Sequence, residues 1–237
     1  MALEEPSVIA ACSGAAKFIS RFGGFKTISS EPIMRGQIQI CDVQADEAIF
    51  IIEQKKKEII SYANEACQNM VKRGGGVIDL KVKVLPQDIS LKEISPNSGD
   101  MIVVDLFINV CESMGANIIN TIAEHTAPYI EQLVGGRAGI KILSNLATER
   151  RALAYFDIPV KEMGWKGASG EEVAKKIMEA YVFAKNDIYR ATTHNKGIMN
   201  GIDSAAIACG QDWRAIEAAA HAYPFISNNN IFIPNNT

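Results

Sequence analysis

Gly74-Gly75-Gly76-Val77-Ile78-Asp79-Leu80-Lys81-Val82-Lys83-Val84 decides the architecture of the middle of this chain. Three glycines close one element, because they admit backbone conformations that other residues avoid. The residues after them alternate apolar with polar, the period of a half-buried strand. Upstream, residues 46–72 are rich in Ile, Glu and Lys at helical spacing, and Gln37-Ile38-Gln39-Ile40 alternates like a strand. Downstream, a Pro/Asn/Ser/Gly loop at 95–99 leads into a nearly continuous apolar strand over 101–110. A helix over 114–134 and a strand over 138–144 complete the order βαββαβ, a ferredoxin-like split unit.

The flanks read as helical. Residues 7–22 present Val8, Ile9, Ala11, Cys12, Ala15, Ala16, Phe18 and Ile19 as a broad apolar face, with Pro6 in the tolerant first turn and Gly23-Gly24 as the stop. Ser169 and Glu172 form a capping box for a helix over 169–185. Its face of Val173, Ile177, Met178, Tyr181 and Ala184 is expected in the core. Residues 204–220 are expected as one or two tightly packed helices around a break at Gly210-Gln211-Asp212. The expected fold class is therefore α+β. A mostly helical large domain, residues 1–33 and 146–237, is interrupted by an inserted βαββαβ domain, residues 34–145.

Composition narrows the function classes. The 237 residues suffice for a sizeable core, and a net charge of -3 with no basic patch argues against a nucleic-acid partner. No apolar run approaches membrane-spanning length and no basic, then apolar, leader opens the chain, so a cytoplasmic protein is expected. Cys12, Cys41, Cys67, Cys111 and Cys209 are scattered without C-x-x-C spacing, and the three histidines are not spaced for a metal. Neither a disulfide framework nor a metal site is expected, and most cysteines are expected as small buried hydrophobes.

Chemistry concentrates in Thr193-His194-Asn195-Lys196-Gly197-Ile198-Met199-Asn200-Gly201, followed by Gly210-Gln211-Asp212-Trp213-Arg214. Two readings are open from these residues alone. One is a solvated lysine in an Asn/Gly-rich turn. The other is a buried cation held close to a ligand oxygen, with asparagine amides fixing it.

With Glu4-Glu5-Pro6-Ser7-Val8, Gly23-Gly24-Phe25, Gly74-Gly75-Gly76, Ser113-Met114-Gly115-Ala116-Asn117, Ile142-Leu143-Ser144-Asn145, Tyr189–Lys196 and Ala220-His221-Ala222-Tyr223, the chain resembles class II (bacterial-type) hydroxymethylglutaryl-CoA (HMG-CoA) reductase. These motifs fall in family order over nearly the whole chain up to Tyr223. The resemblance implies a two-hydride reduction of the HMG-CoA thioester to mevalonate, with release of CoA. It makes Lys196 the cation for the carbonyl oxygen, Asp212 its partner in a buried pair, and Glu5 the proton donor. Arg190 would clamp the substrate carboxylate, and Ser7 and Asn200 would line the same pocket. Glu112, Met114, Gly115, Ala116 and Asn117 would hold the dinucleotide, although the family usually carries aspartate at the position of Glu112. NADPH or NADH is the implied cofactor; Cys67 in place of an acid, with Lys72 and Arg73 nearby, favours NADPH. A homodimer with a shared active site is implied as well.

Against the family pattern the chain is expected to be truncated at both ends, its Asn-rich tail after Tyr223 marking a frameshifted, split or shortened gene. The family's C-terminal histidine, which protonates the departing thiolate, has no counterpart in His125, His194 or His221. His125 is expected at the surface. The alternative function is a non-catalytic remnant that binds dinucleotide or CoA thioester, or needs a partner chain.

Overall fold

The computed structural model describes residues 1–85, 93, 94 and 99–227. Most of the predicted loop at 95–99 and the Asn-rich tail lie outside the described residues. In chain order the elements are α1 (Pro6–Ser20), β1 (Lys26–Ser29), β2 (Ile33–Val43), α2 (Ala45–Gln54), α3 (Lys56–Glu65), α4 (Gln68–Val71), β3 (Gly76–Val84) and β4 (Asp100–Asn109). They continue with α5 (Ala116–Val134), β5 (Arg137–Ser144), β6 (Ala152–Tyr155), α6 (Gly170–Asn186), α7 (Ile188–Ala208) and α8 (Trp213–Ser227). The fold class is α+β. Two compact units divide the chain, one of Ser29–Arg151 and one of Met1–Ile28 with Ala152–Thr237. No helix among the described residues is long and apolar enough to cross a membrane.

The Ser29–Arg151 unit is a four-stranded sheet in the order β3-β4-β2-β5, each neighbouring pair antiparallel. That is the strand order of a ferredoxin-like βαββαβ unit. Alternation along β4 explains it: Ile102, Val104, Leu106 and Ile108 are fully buried on one face, against Ile52 of α2, Ile59 of α3 and Ile119, Ile122 and Ile130 of α5. The other face carries Asp105, a buried carboxylate accepting from Gln37 at 2.7 Å, Lys83 at 3.1 Å and Arg35 at 3.4 Å. Three donors compensate the desolvation of this charge.

The helix expected over 46–72 is three helices, broken at Lys55 and at Ala66-Cys67. The second break turns Cys67 inward, so that its thiol donates to Asn64 and is buried. Asn64 in turn bonds both main-chain groups of Val77, accepting at 2.8 Å and donating at 3.0 Å. Gly76, at φ 107°, has to be glycine, because a Cβ would lie 2.5 Å from Asn64 Oδ1.

The other unit holds α1, α6, α7, α8 and the ribbon β1-β6, which the sequence did not announce. The capping box of Ser169 and Glu172 is formed. The break before α8 is a Schellman turn: Gly210, at φ 66°, donates to Ile207 O and Gln211 to Ala206 O. The apolar face of α6 expected in the core is a correction: only Ala184 is buried, while Ile177 and Met178 are 52% and 57% exposed. Helical periodicity identifies a face that needs a partner, and within this unit α6 has α7 and the short turn Val160–Glu162 against it, which leave that face open. The cysteine expectation is corrected too: Cys67 is buried, but Cys12 and Cys209 are exposed.

The two units therefore differ in core quality. Leu106→Ala is expected to destabilise by about 2–5 kcal/mol, the range for truncating a well-packed leucine. Phe183→Ser, on the open face of α6, is expected to cost under about 0.5 kcal/mol. Urea unfolding of the two variants beside the parent checks both.

Candidate active site and dinucleotide site

At the end of β4 the chain makes a tight turn into α5. Asn109 Oδ1 accepts from Cys111 N at 3.0 Å, and Cys111 is held at φ 51°, which few side-chain-bearing residues adopt. Ser113 donates to Val110 O from both its amide and its hydroxyl, the latter at 2.7 Å. Gly115, at φ 98°, opens α5, and a Cβ there would lie 2.8 Å from Val110 Cγ1. The expected dinucleotide residues thus form one continuous turn, with Glu112, Met114 and Asn117 exposed and Gly115 buried beneath them. The amides of the first turn of α5 have no intrahelical acceptors, which is the arrangement that binds anions.

Beside this turn lies a cavity of about 710 Å³, bordered by Cys67, Met70, Arg73, Cys111, Glu112 and Ser113 among others. Gly75 lets the backbone pack closely on this turn, since a Cβ there would meet Asn109 O at 2.5 Å and Cys111 Sγ at 2.6 Å. Burial pushes the Cys67 thiol up, so the wall at that point is neutral, with Arg73 as a cation on the same cavity. The cavity has the volume of a ligand pocket, and its charged lining is Arg73 with the carboxylates of Glu65 and Glu112.

In the helical unit, Glu5 precedes α1 and its carboxylate accepts from Ser7 Oγ at 2.6 Å. Arg190 lies in the first turn of α7, its amide bound to the capping Asp187 at 2.7 Å. Lys196 and Asn200 follow on the same helix, one turn apart. Of the two sequence readings, the solvated lysine is what the chain shows, with Lys196 exposed and open space around Gly197 and Gly201, but the turn is corrected: the stretch is the middle of α7. Helix formation here follows from the Asp187 cap and from burial of the stripe Ala191, Asn195 and Met199.

Asp212 caps α8, accepting from Ala215 N at 3.2 Å. The Gln211–Ala206 bond ties the residue before it to Ala206, which lies ten residues and so about 15 Å along the helix from Lys196. Among the described residues Lys196 and Asp212 form no ion pair, and both side chains are exposed. Ala2 N donates to Ser204 O at 3.1 Å, which ties the segment before Glu5 to α7 one turn beyond Asn200. His125, expected at the surface, is half-buried and stacks on Tyr62 at 4.5 Å between ring centroids.

A βαββαβ unit with a glycine-opened turn over a cavity, interrupting a helical unit that carries an arginine and a lysine on one helix, defines a two-part α+β architecture. The chain belongs to the hydroxymethylglutaryl-coenzyme A reductase family, whose sequence model matches residues 1–235. It is 44% identical over 229 residues to the 3-hydroxy-3-methylglutaryl-coenzyme A reductase of Archaeoglobus fulgidus, covering 95% of this chain and 49% of that protein. A probable reductase of Borreliella burgdorferi is 31% identical, with coverages of 94% and 48%. The reductase of Streptococcus pneumoniae superposes with a TM-score of 0.87 at 41% identity, over 96% of this chain and 59% of that one. A class II structure from the same organism, bound to NADPH in open conformations, gives a TM-score of 0.85 at 42% identity, over 93% and 57%. The chain spans about half the length of the curated relatives it matches.

Sequence reasoning passed over Asp203. Burial first, then the neighbouring Glu217 carboxylate, pushes its carboxyl up, opposed by His221. Its Oδ1 is buried without a hydrogen-bond partner. Because the folded pKa is raised, the protonated form favours the folded state. That contribution is present below the ordinary carboxylate range and is lost as pH rises through the folded pKa. Asp203→Asn is therefore expected to raise stability at pH 7, with the gain shrinking as pH falls through the carboxylate range. Urea midpoints of parent and variant at pH 7 and pH 4 check this; an equal gain at both would contradict it.

Proposed function

We propose that this chain carries out the class II reductase reaction, NADPH-dependent reduction of the HMG-CoA thioester to mevalonate with release of CoA. What supports this is family membership together with an exposed Lys196 that has no ion-pair partner among the described residues, one helical turn from Asn200. A cation not already neutralised within the chain is what a developing oxyanion requires.

When bound at the Glu112–Asn117 turn, the dinucleotide supplies hydride. In the first reduction the thioester carbonyl carbon gains hydride and its oxygen becomes an alkoxide, which Lys196 stabilises and Glu5 protonates. The hydroxyl then returns its proton to Glu5 as the C–S bond breaks, leaving an aldehyde and CoA thiolate. The aldehyde carbon takes a second hydride from a second dinucleotide, and its oxygen again takes a proton by way of Glu5. Ser7, 2.6 Å from the Glu5 carboxylate, orients that acid. Arg190 presents a planar fork to the substrate's free carboxylate. Among the charged residues of the cavity, Glu65, Glu112 and Arg73, the arginine is the group that would meet a 2′-phosphate, and with Cys67 in place of an acid the reading taken is NADPH rather than NADH.

Two copies complete the site. With Asp212 just beyond Gln211, which is tied to Ala206 about 15 Å along the helix axis from Lys196, the pair that tunes the lysine forms between Lys196 of one copy and Asp212 of a second.

The test is NADPH oxidation with HMG-CoA by the purified chain beside Lys196→Ala. Turnover that falls about a hundred- to a thousandfold in the variant, the usual cost of removing an oxyanion-stabilising group, is the expected result. Dinucleotide binding without any turnover would remove the reductase activity and leave a binding remnant.

A further inference from the structure

We propose that Arg150 is a positioning residue for the dinucleotide, its guanidinium setting the geometry of the Ser113-Met114-Gly115 turn. The role deepens the dinucleotide reading above and depends on it.

One planar fork gathers three acceptors. Arg150 Nη1 donates to Met114 O at 3.2 Å and to Met34 Sδ at 3.2 Å, while Nη2 donates to Ser113 O at 3.4 Å. Two consecutive carbonyls therefore face the guanidinium. In a planar trans peptide the carbonyl and the following amide point in opposite directions. Holding the carbonyls of Ser113 and Met114 thus turns the amides of Met114 and Gly115 away from Arg150. They extend the row of free amides at the start of α5, and the cation adds a field that favours an anion there.

The turn needs such a support. Between Val110 and Gly115 it contains two left-handed residues, Cys111 and Gly115, and its ties back to the sheet come from Ser113 and Cys111. Glu112, Ser113 and Met114 are exposed, so packing holds them only weakly.

Arg150 is itself fixed on both sides. The preceding Glu149 is bound by Arg35 at 2.8 Å and by Thr148 at 2.9 Å. The following Arg151 donates to Ser30 Oγ at 2.7 Å and accepts from Ser30 N at 2.9 Å, while Ser30 Oγ donates to Glu149 O at 2.6 Å. A residue between two anchored neighbours delivers its guanidinium at a defined place. Lysine cannot replace it, since a single ammonium does not span two carbonyls with matched geometry.

The test titrates NADPH into the 237-residue chain and into Arg150→Ala and Arg150→Lys, following cofactor fluorescence, with thermal unfolding in parallel. Both variants are expected to bind NADPH roughly ten- to a hundredfold more weakly at an unchanged unfolding midpoint, the loss that follows when charge-assisted hydrogen bonds disappear. Added guanidinium ion is expected to recover part of the affinity of Arg150→Ala and to leave the parent unaffected. Parent-like binding by either variant overturns the role while leaving the dinucleotide site in place. A loss accompanied by a matching drop in the unfolding midpoint also overturns it, because Arg150 would then serve only stability. No NADPH binding by the parent removes the dinucleotide reading and this role with it.

Discussion

Burial of the alternate residues Ile102, Val104, Leu106 and Ile108 of β4 beneath three helices is the constraint on which the Ser29–Arg151 unit depends. A shift of one residue along β4 would put these four on the face that carries Asp105 and would bury Asp105 among isoleucines. The register is therefore strongly determined, and with it the point at which the chain leaves the sheet. That point is Asn109, and the turn from Cys111 to Gly115 hangs from it. Packing in the core thus decides where the candidate dinucleotide turn stands, although no residue of the turn lies deep in that core except Gly115.

The helical unit obeys a different balance. Its buried apolar side chains are few, among them Ile19, Ala184, Ala191, Met199 and Ala206, and most are small. Helix α7 nevertheless keeps its form, capped by Asp187 and closed by the Gly210 turn, so local chemistry supplies what a thick core otherwise would. The exposed isoleucine, methionine and phenylalanine side chains of α6 amount to an apolar surface that favours association.

Much of the split unit was legible in the sequence because strong alternation and continuous apolar runs leave little choice: β3, β4 and β5 lie within a residue of the predicted bounds. Ser169 with Glu172, and Gly210, marked helix ends through side-chain chemistry that acts locally. What was missed has equally physical causes. Strands β1 and β6 are four residues each and wholly exposed, so burial imposes no pattern on them. The breaks at Lys55 and Cys67 contain neither glycine nor proline and arise from packing three short helices on one sheet. The glycines and asparagines around Lys196 suggested a turn, but capping at Asp187, nine residues earlier, prevails. The candidate site was legible through motifs alone, since periodicity singles out neither Arg190 nor Lys196. Arg150 had no local signal, because its partners Ser113, Met114 and Met34 are distant in sequence.

Ser30 and Arg151 are joined by a main-chain bond of 2.9 Å, and they stand at the two ends of the Ser29–Arg151 unit. A unit whose second and last residues are hydrogen-bonded is a cassette. Its removal leaves a gap that one tight turn could bridge, and its own folding needs nothing from the flanking chain to bring its ends together. Such geometry lets one segment be lengthened, exchanged or grafted into another host without disturbing the helices on either side. In this chain the candidate dinucleotide turn and the helices that carry Arg190 and Lys196 can accordingly change at separate rates.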